Sequence, residues 1–124
     1  MGDFMLKDRG FNFSVKLLRY FRTITADREF DILKRQVMRS AASIGANITE
    51  GMSGTSRKEL SRFFRISLRS CNETTYWLQL IAEVYEAEIN TEQMNELISE
   101  SKQISRILGK SILSLKTTSK VVQN

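Results

Sequence analysis

Histidine and proline are absent from this chain of 124 residues, and cysteine occurs only once, at Cys71. The absence of histidine removes the commonest general base and the commonest metal ligand in proteins. A single cysteine forms no internal disulfide and cannot build a thiolate metal site, and it agrees with a cytoplasmic location. Cys71 is expected to be a small buried residue. The composition therefore predicts a protein without metal, cofactor or enzymatic activity.

Long apolar segments and the familiar catalytic motifs are missing too. The apolar run Phe4-Met5-Leu6 is too short for a membrane span or a signal peptide. The chain has no GKS/T phosphate-binding loop and no GxSxG nucleophile turn. We therefore expect neither a membrane partner nor a small-molecule substrate.

Glycine is scarce and helix-forming residues dominate, so the sequence predicts one all-α domain. Residues 1–11 form an N-terminal arm that Gly10 ends, and Asn12 caps the first predicted helix. The second helix is capped by Thr25 or Asp27 and extends to about Glu50.

Two further helices are predicted from cap signatures. Ser56 and Glu59 form a capping box, from which a third helix extends to about Glu88. Asn90 and Gln93 begin the fourth helix, in which Gly109 marks a close approach or a kink. Short connections between the four segments predict an up-down-up-down antiparallel four-helix bundle over residues 12–117, followed by a frayed tail at 118–124.

The stretch Arg39–Gly51 is rich in small residues and is expected to make the tightest helix contact. Glycine within a helix is unfavourable by roughly 1 kcal/mol relative to alanine, so Gly45 should have a packing reason. Its neighbours Ala41, Ala42 and Ala46 suggest that a whole face of small residues takes part. Asn47 lies among apolar residues and should have a structural hydrogen-bond partner.

The third helix has more apolar surface than one bundle face can cover. Its first apolar stripe serves the core of the bundle. A second stripe suggests a subunit contact, and with it a closed homo-oligomer. Glu73 lies in line with this stripe and is expected to pair with an arginine, for which we choose Arg39. The predicted oligomer interface consists of Phe63, Ile66, Glu73, Trp77, Leu80 and Val84.

Charge is unevenly distributed along the chain, which has a net charge of +5 and a pI near 9.6. Six glutamates and no lysine or arginine occur from Glu83 to Glu100, which marks one end of the bundle as acidic. The opposite end is basic and includes the N-terminus of the third helix, where backbone N–H groups favour anions. Candidate nucleic-acid-binding residues at this end are Arg57, Lys58, Arg62, Lys116, Lys7 and Arg9.

Two segments, RSAASIGANITEG and NETTYWLQLIAE, resemble the bacterial four-helix-bundle proteins encoded in intervening sequences of 23S ribosomal RNA genes. The resemblance implies a non-enzymatic bundle that assembles into a ring of five subunits. It also implies a relation to the accessory variability proteins of diversity-generating retroelements, which bind nucleic acid and a reverse transcriptase. The matching positions are Ser43, Ile44, Asn47, Ile48, Glu50, Gly51, Phe63 or Phe64, Glu73, Trp77 and Leu78.

Two functional hypotheses follow. The first is an oligomeric basic bundle that binds RNA or DNA backbone, as an accessory to a reverse transcriptase in one form of the hypothesis. The second is a structural or protein-interaction ring without affinity for nucleic acid. A two-carboxylate enzyme site that uses Glu50 and Glu73 is kept only as a third reading.

Overall fold

The computed structural model describes the backbone of residues 2–54 and 56–123 and the side chains of residues 5–54 and 56–116. It contains four helices: α1 (Gly2–Phe21), α2 (Arg28–Met52), α3 (Arg57–Val84) and α4 (Thr91–Gln123). Each helix packs against two neighbours, in the cyclic order α1, α2, α3, α4. Consecutive helices run antiparallel, so the predicted all-α bundle is confirmed.

The N-terminal helix is longer than predicted. Gly10 lies inside α1, so the prediction that it breaks the helix is wrong, and Asn12 is a helix-interior residue instead of an N-cap. The predicted arm at 1–11 is helical from Gly2 onward. The predicted tail at 118–124 lies outside the described side chains, although the backbone of α4 is helical to Gln123.

Polar side chains cap three helices as the sequence predicts. Asp27 Oδ1 accepts from the Phe30 amide at 2.8 Å, which selects Asp27 over Thr25 as the cap of α2. Ser56 Oγ accepts from the Glu59 amide at 3.1 Å, and Asn90 Oδ1 accepts from the Gln93 amide at 2.9 Å. The caps satisfy amides that have no partner within their own helix.

The cap of α2 is also tied to the end of α3. The Tyr85 hydroxyl donates to Asp27 Oδ1 at 2.7 Å. This hydrogen bond lowers the pKa of Asp27 and, as the main cause, raises the pKa of Tyr85 to about 12. The α3 helix ends at Val84, earlier than predicted, and Tyr85, whose backbone is no longer helical, makes this contact.

The core is a single apolar cluster to which all four helices contribute. Burying a large aliphatic or aromatic side chain stabilises the fold by about 1.5–3 kcal/mol, so this cluster is the main source of stability. Cys71 lies within it and donates to the Ser101 carbonyl at 3.0 Å, and burial raises its pKa to about 11. The largest fully buried side chains are Phe13, Phe21, Phe30, Phe64, Leu6, Leu17, Ile44, Ile48, Leu78, Ile81, Met94 and Ile104.

Candidate functional site

The small-residue stretch of α2 crosses α1 at a contact between two glycines. A Cβ added to Gly45 would lie 3.2 Å from both the carbonyl carbon and the carbonyl oxygen of Gly10. The predicted packing role of Gly45 is therefore confirmed. Ala42 and Ala46 are exposed, however, so the prediction of a whole buried face of small residues is wrong. Gly109 has nothing within 4 Å of an added Cβ, so the close approach predicted there is also wrong.

Hydroxyl and amide groups join α2 to α3 beside this crossing. Asn47 Nδ2 donates to the Ser43 carbonyl at 2.8 Å and to its hydroxyl at 2.9 Å. The Ser43 hydroxyl is in turn 2.9 Å from that of Ser70. The prediction that Asn47 has a structural hydrogen-bond partner is confirmed, and Ser43 links it to α3 through Ser70.

Glu73 is held by two partners on the surface where α2 and α3 meet. It forms an ion pair with Arg39, as predicted, and accepts from the Trp77 indole nitrogen at 2.9 Å. Glu50 lies at the exposed end of α2, about three helical turns from Arg39, the partner of Glu73. The two carboxylates are therefore not brought together.

The second apolar stripe of α3 remains partly uncovered by its own chain. Phe63, Ile66, Trp77 and Leu80 are half-buried, and Val84 is 59% exposed. The stripe lies on the side of α3 next to the Arg39–Glu73 ion pair. Among the described residues none covers the stripe completely, and the predicted interface residues recur every three or four positions on one side of α3.

The six basic residues predicted at one end divide into five exposed cations and Arg9, whose charge is paired. Arg57, Lys58 and Lys116 are exposed, as is Lys7, one turn before Gly10. Arg62 is also exposed, and its guanidinium lies 4.4 Å from the centre of the Phe63 ring, beside Glu59 at 3.3 Å. An exposed pair of this kind contributes little to stability, so Arg62 can exchange Glu59 for another anion.

Arg9 differs from the other predicted basic residues. Its guanidinium lies 2.6 Å from Glu100 and 3.0 Å from the Gln103 side chain, along the junction of α1 with α4. The hydrogen bond to Glu100 raises the pKa of Arg9. Because its charge is compensated there, the structure does not place Arg9 with the free cations of the basic end.

A basic face along α3 and α4 was not predicted. Residues 60–72 and 101–116 contain no aspartate or glutamate. The Ser105 hydroxyl donates to Asn72 at 3.0 Å, and this register sets the two acid-free segments side by side. The sequence shows that each segment lacks acidic residues, but only the antiparallel register of α3 and α4 brings the two segments together. Five exposed cations follow this face: Arg65, Arg69, Lys102, Arg106 and Lys110.

The depressions along α4 include two whose linings differ in charge. The larger, of about 1190 Å³, separates α4 from α1, and its charged lining is mixed: Lys16 and Arg19 face Glu92, Glu96 and Glu100. The smaller, of about 330 Å³, lies between α3 and α4 on the basic face. Its lining contains no carboxylate: Asn72, Thr75, Tyr76, Gln79, Lys102, Ser105 and Arg106.

No described helix combines the length and apolar character needed to cross a bilayer. No group of three or more His, Cys, Asp or Glu side chains is positioned to hold a metal ion within the described part of the chain.

Comparison with known proteins identifies the family. Residues 3–110 match the family described as 23S rRNA-intervening sequence protein. The chain belongs to this family. A crystal structure of a protein with unknown function, from the S23 ribosomal protein family of Bacteroides thetaiotaomicron, is 31% identical, with a TM-score of 0.79. The match covers 90% of this chain and 98% of the other. No curated protein matches the chain.

Membership in the intervening-sequence family accounts for the four-helix fold and for the motif that was matched by resemblance. The structural relative has the same fold and is described as having unknown function. Family membership therefore establishes the fold of this chain, and the surface of the bundle contains the features that bear on its activity.

Proposed function

We propose that this family member is a non-enzymatic, oligomeric bundle that binds the phosphate backbone of RNA or DNA through its basic end. The residues proposed to carry the binding are Arg57, Lys58, Arg62 and Lys116, with help from Lys7. Arg9, the sixth residue suggested by the sequence, contributes less because Glu100 compensates its charge. The observation that carries the proposal is the grouping of exposed Arg57, Lys58, Lys116 and Lys7 at the end of the bundle opposite the glutamate-rich segment 83–100.

The electrostatic argument is direct. Lysine and arginine contacts to phosphate release condensed counterions, which makes such binding favourable at low salt and weaker at high salt. Arg57 and Lys58 lie in the first turn of α3, where free backbone N–H groups and the helix dipole add to their attraction for anions. No base-reading motif accompanies these residues, so binding at this end should depend little on sequence.

Assembly would multiply this surface. We propose that the half-buried stripe of α3 is the contact of a closed homo-oligomer, with five subunits in the form that the family resemblance suggests. A closed ring presents equivalent ends of all its subunits on the same side, so every subunit adds its basic end to one rim. A rim of this kind suits a long polyanion better than one isolated bundle does.

The test is fluorescence anisotropy with a labelled structured RNA and a labelled DNA duplex at two salt concentrations. We expect the wild type to bind both at low salt. Reversing Arg57→Glu with Lys58→Glu should abolish most of the binding while the helical circular dichroism is unchanged. The matched control, Glu92→Gln with Glu96→Gln at the acidic end, should leave the affinity unchanged or raise it slightly.

Two results would contradict parts of the proposal. Failure of the wild type to bind either probe at low salt would favour the second candidate function, a structural or protein-interaction ring. The uncovered stripe of α3 is the observation that favours that candidate. Binding that survives charge reversal of Arg57 and Lys58 but is lost on charge reversal of Arg19 and Arg22 would place the site on the flank of the bundle.

The proposed partner beyond nucleic acid is a reverse transcriptase. This role follows only from the resemblance to accessory variability proteins of retroelements. A reverse transcriptase gene with template and variable repeats beside the gene for this chain would support it. A position inside a ribosomal RNA gene would support the intervening-sequence role instead.

A further inference from the structure

We propose that the small depression between α3 and α4 is a binding site for single-stranded nucleic acid. In this proposal an unpaired base stacks on Tyr76, and the adjoining phosphates contact Lys102 and Arg106. The inference rests on the proposed function, since both require affinity for nucleic acid. It adds a second contact surface, on the side of the bundle, and a preference for unpaired strands.

The chemistry of the lining favours an anionic ligand that also carries polar edges. Lys102 and Arg106 are one helical turn apart on α4, and both are exposed. The Ser105 hydroxyl donates to Asn72 Oδ1 at 3.0 Å, which leaves the amide hydrogens of Asn72 available to a ligand. Gln79, on the same rim, supplies both a donor and an acceptor.

Two carboxylates close in sequence to lining residues have partners elsewhere, and Glu83, one turn beyond Gln79 on α3, is not part of the lining. Glu73 is held by Arg39 and Trp77 on the α2 side of α3, and Glu100 is held by Arg9 on the α1 side of α4. The lining of the depression therefore contains no carboxylate that neutralises the cations of the basic face. The depression between α1 and α4 lacks this property, because Glu92, Glu96 and Glu100 line it.

Tyr76 has the exposure and the support that a stacking platform requires. Its side chain is 59% exposed although the ring is large and mostly apolar. The ring packs edge-on against Trp77, with centroids 5.2 Å apart and an interplanar angle of 68°, and the Trp77 indole is anchored to Glu73. An aromatic ring that is held in place and left open to solvent is suited to stacking with an unpaired base.

The geometry favours a single strand over a duplex. In a duplex the bases are stacked inside and cannot reach a tyrosine on a helix surface, whereas unpaired bases stack readily on aromatic side chains. From Tyr76 the same exposed stripe of α3 continues through Arg69, Arg65 and Arg62 toward the basic end. A strand that leaves Tyr76 can thus follow cations over roughly 20 Å of helix, at a rise of about 1.5 Å per residue.

The experiment uses Trp77, the one tryptophan of the chain, as an internal probe. Titration with a twelve-nucleotide oligouridylate should quench Trp77 fluorescence, because the base would stack on the neighbouring Tyr76 ring. Heparin, a polyanion without bases, should compete for the site but should not quench. Binding constants for the same oligonucleotide and for a DNA duplex are measured by anisotropy in parallel.

Three sets of variants separate stacking from charge. Tyr76→Ala should weaken oligouridylate binding about ten-fold and leave duplex binding unchanged, whereas Tyr76→Phe keeps the ring and should recover most of the loss. The control Phe11→Ala removes another exposed aromatic ring, from α1, and should have no effect. Lys102→Glu with Arg106→Glu should weaken oligouridylate binding more than the same reversal of Arg19 and Arg22.

The outcomes distinguish this inference from the function on which it rests. If the wild type binds neither oligouridylate nor duplex at low salt, both proposals are wrong. If it binds, and Tyr76→Ala and the Lys102/Arg106 reversal match the wild type within two-fold, the α3–α4 site is overturned and the basic end stands. Circular dichroism and sedimentation of each variant ensure that a loss of binding is not a loss of fold or assembly.

Discussion

The crossing of α1 and α2 gives the sharpest test of the packing account. At this crossing Gly45 and Gly10 bring two helix backbones together. A Cβ added to Gly45 would meet backbone atoms of Gly10 at 3.2 Å and the Phe11 amide nitrogen at 3.4 Å. Backbone atoms cannot rotate away as the end of a side chain can, so the helices themselves must separate.

Two opposing effects set the magnitude for Gly45→Ala. Alanine is favoured over glycine in a helix by about 1 kcal/mol, whereas overpacking of a tight contact destabilises by about 1–3 kcal/mol. Gly109→Ala is the matched control, because nothing lies within 4 Å of its added Cβ. It should be neutral or stabilising by up to about 1 kcal/mol. The free energies of unfolding of the two variants should therefore differ by about 1–3 kcal/mol, and Gly45→Leu should be worse than Gly45→Ala.

The assay is urea unfolding followed by circular dichroism. Protomer concentration must be fixed, since subunit association would shift the apparent stability. Equal unfolding midpoints for Gly45→Ala and Gly109→Ala would refute the reasoning. In thermal unfolding, a Gly45→Leu variant that melts within a degree or two of the wild type would also refute it, because the two backbones would then not be in close contact.

Three further predictions concern other parts of the bundle. Because the pKa of Tyr85 is raised to about 12 from an ordinary value of 10.0, its contribution to stability is complete below pH 10 and is lost as pH rises toward 12. Urea unfolding across that range should show a smaller alkaline loss for Tyr85→Phe, and an unchanged loss would contradict the Asp27–Tyr85 hydrogen bond. Cys71 is buried and its pKa is raised to about 11. Ellman's reagent should therefore react slowly with Cys71 in the native protein at pH 8 and quickly in urea. A fast reaction with the native protein would refute the burial of Cys71. Val84→Lys should disrupt assembly without unfolding the subunit, while Trp77→Ala should weaken both; sedimentation that finds only a folded wild-type monomer at micromolar concentration would end the assembly proposal.

The number and order of the helices were predictable because each helix carries a local signal. Apolar periodicity located the core faces, and the side chains of Asp27, Ser56 and Asn90 marked three helix starts with the hydrogen bonds that the structure contains. Such signals depend on residues three or four positions apart, so these three could be recognised without the tertiary structure.

Glycine was harder to interpret because its role depends on a partner far away in sequence. Gly10 alone resembles a helix breaker, but it packs against Gly45 where α1 crosses α2. Gly109 looks like a packing glycine, but the structure leaves it open. Local propensity contains no information about which helix approaches, so the three glycines could not be told apart from the sequence alone.

The candidate surfaces show the same limit. The ion pair between Arg39 and Glu73 was predicted from residue type and is present, whereas the pair of Arg9 with Glu100 spans α1 and α4 and was missed. The basic face of α3 and α4 depends on the register set by Asn72 and Ser105. The charges along each helix could be read from the sequence. Which charged segments of α3 and α4 lie side by side could be known only from the fold.

The most direct test of the proposed function is the salt dependence of wild-type binding to RNA, measured by anisotropy. If Arg57, Lys58, Arg62 and Lys116 each contact a phosphate, the logarithm of the affinity should fall with the logarithm of salt concentration at a slope of about −3 or steeper. Raising salt from 50 to 150 mM should then weaken binding by about thirty-fold or more. The Arg57→Glu/Lys58→Glu variant should bind far more weakly with a shallower slope. Absence of wild-type binding at 50 mM salt, or an affinity that does not change with salt, would contradict the account.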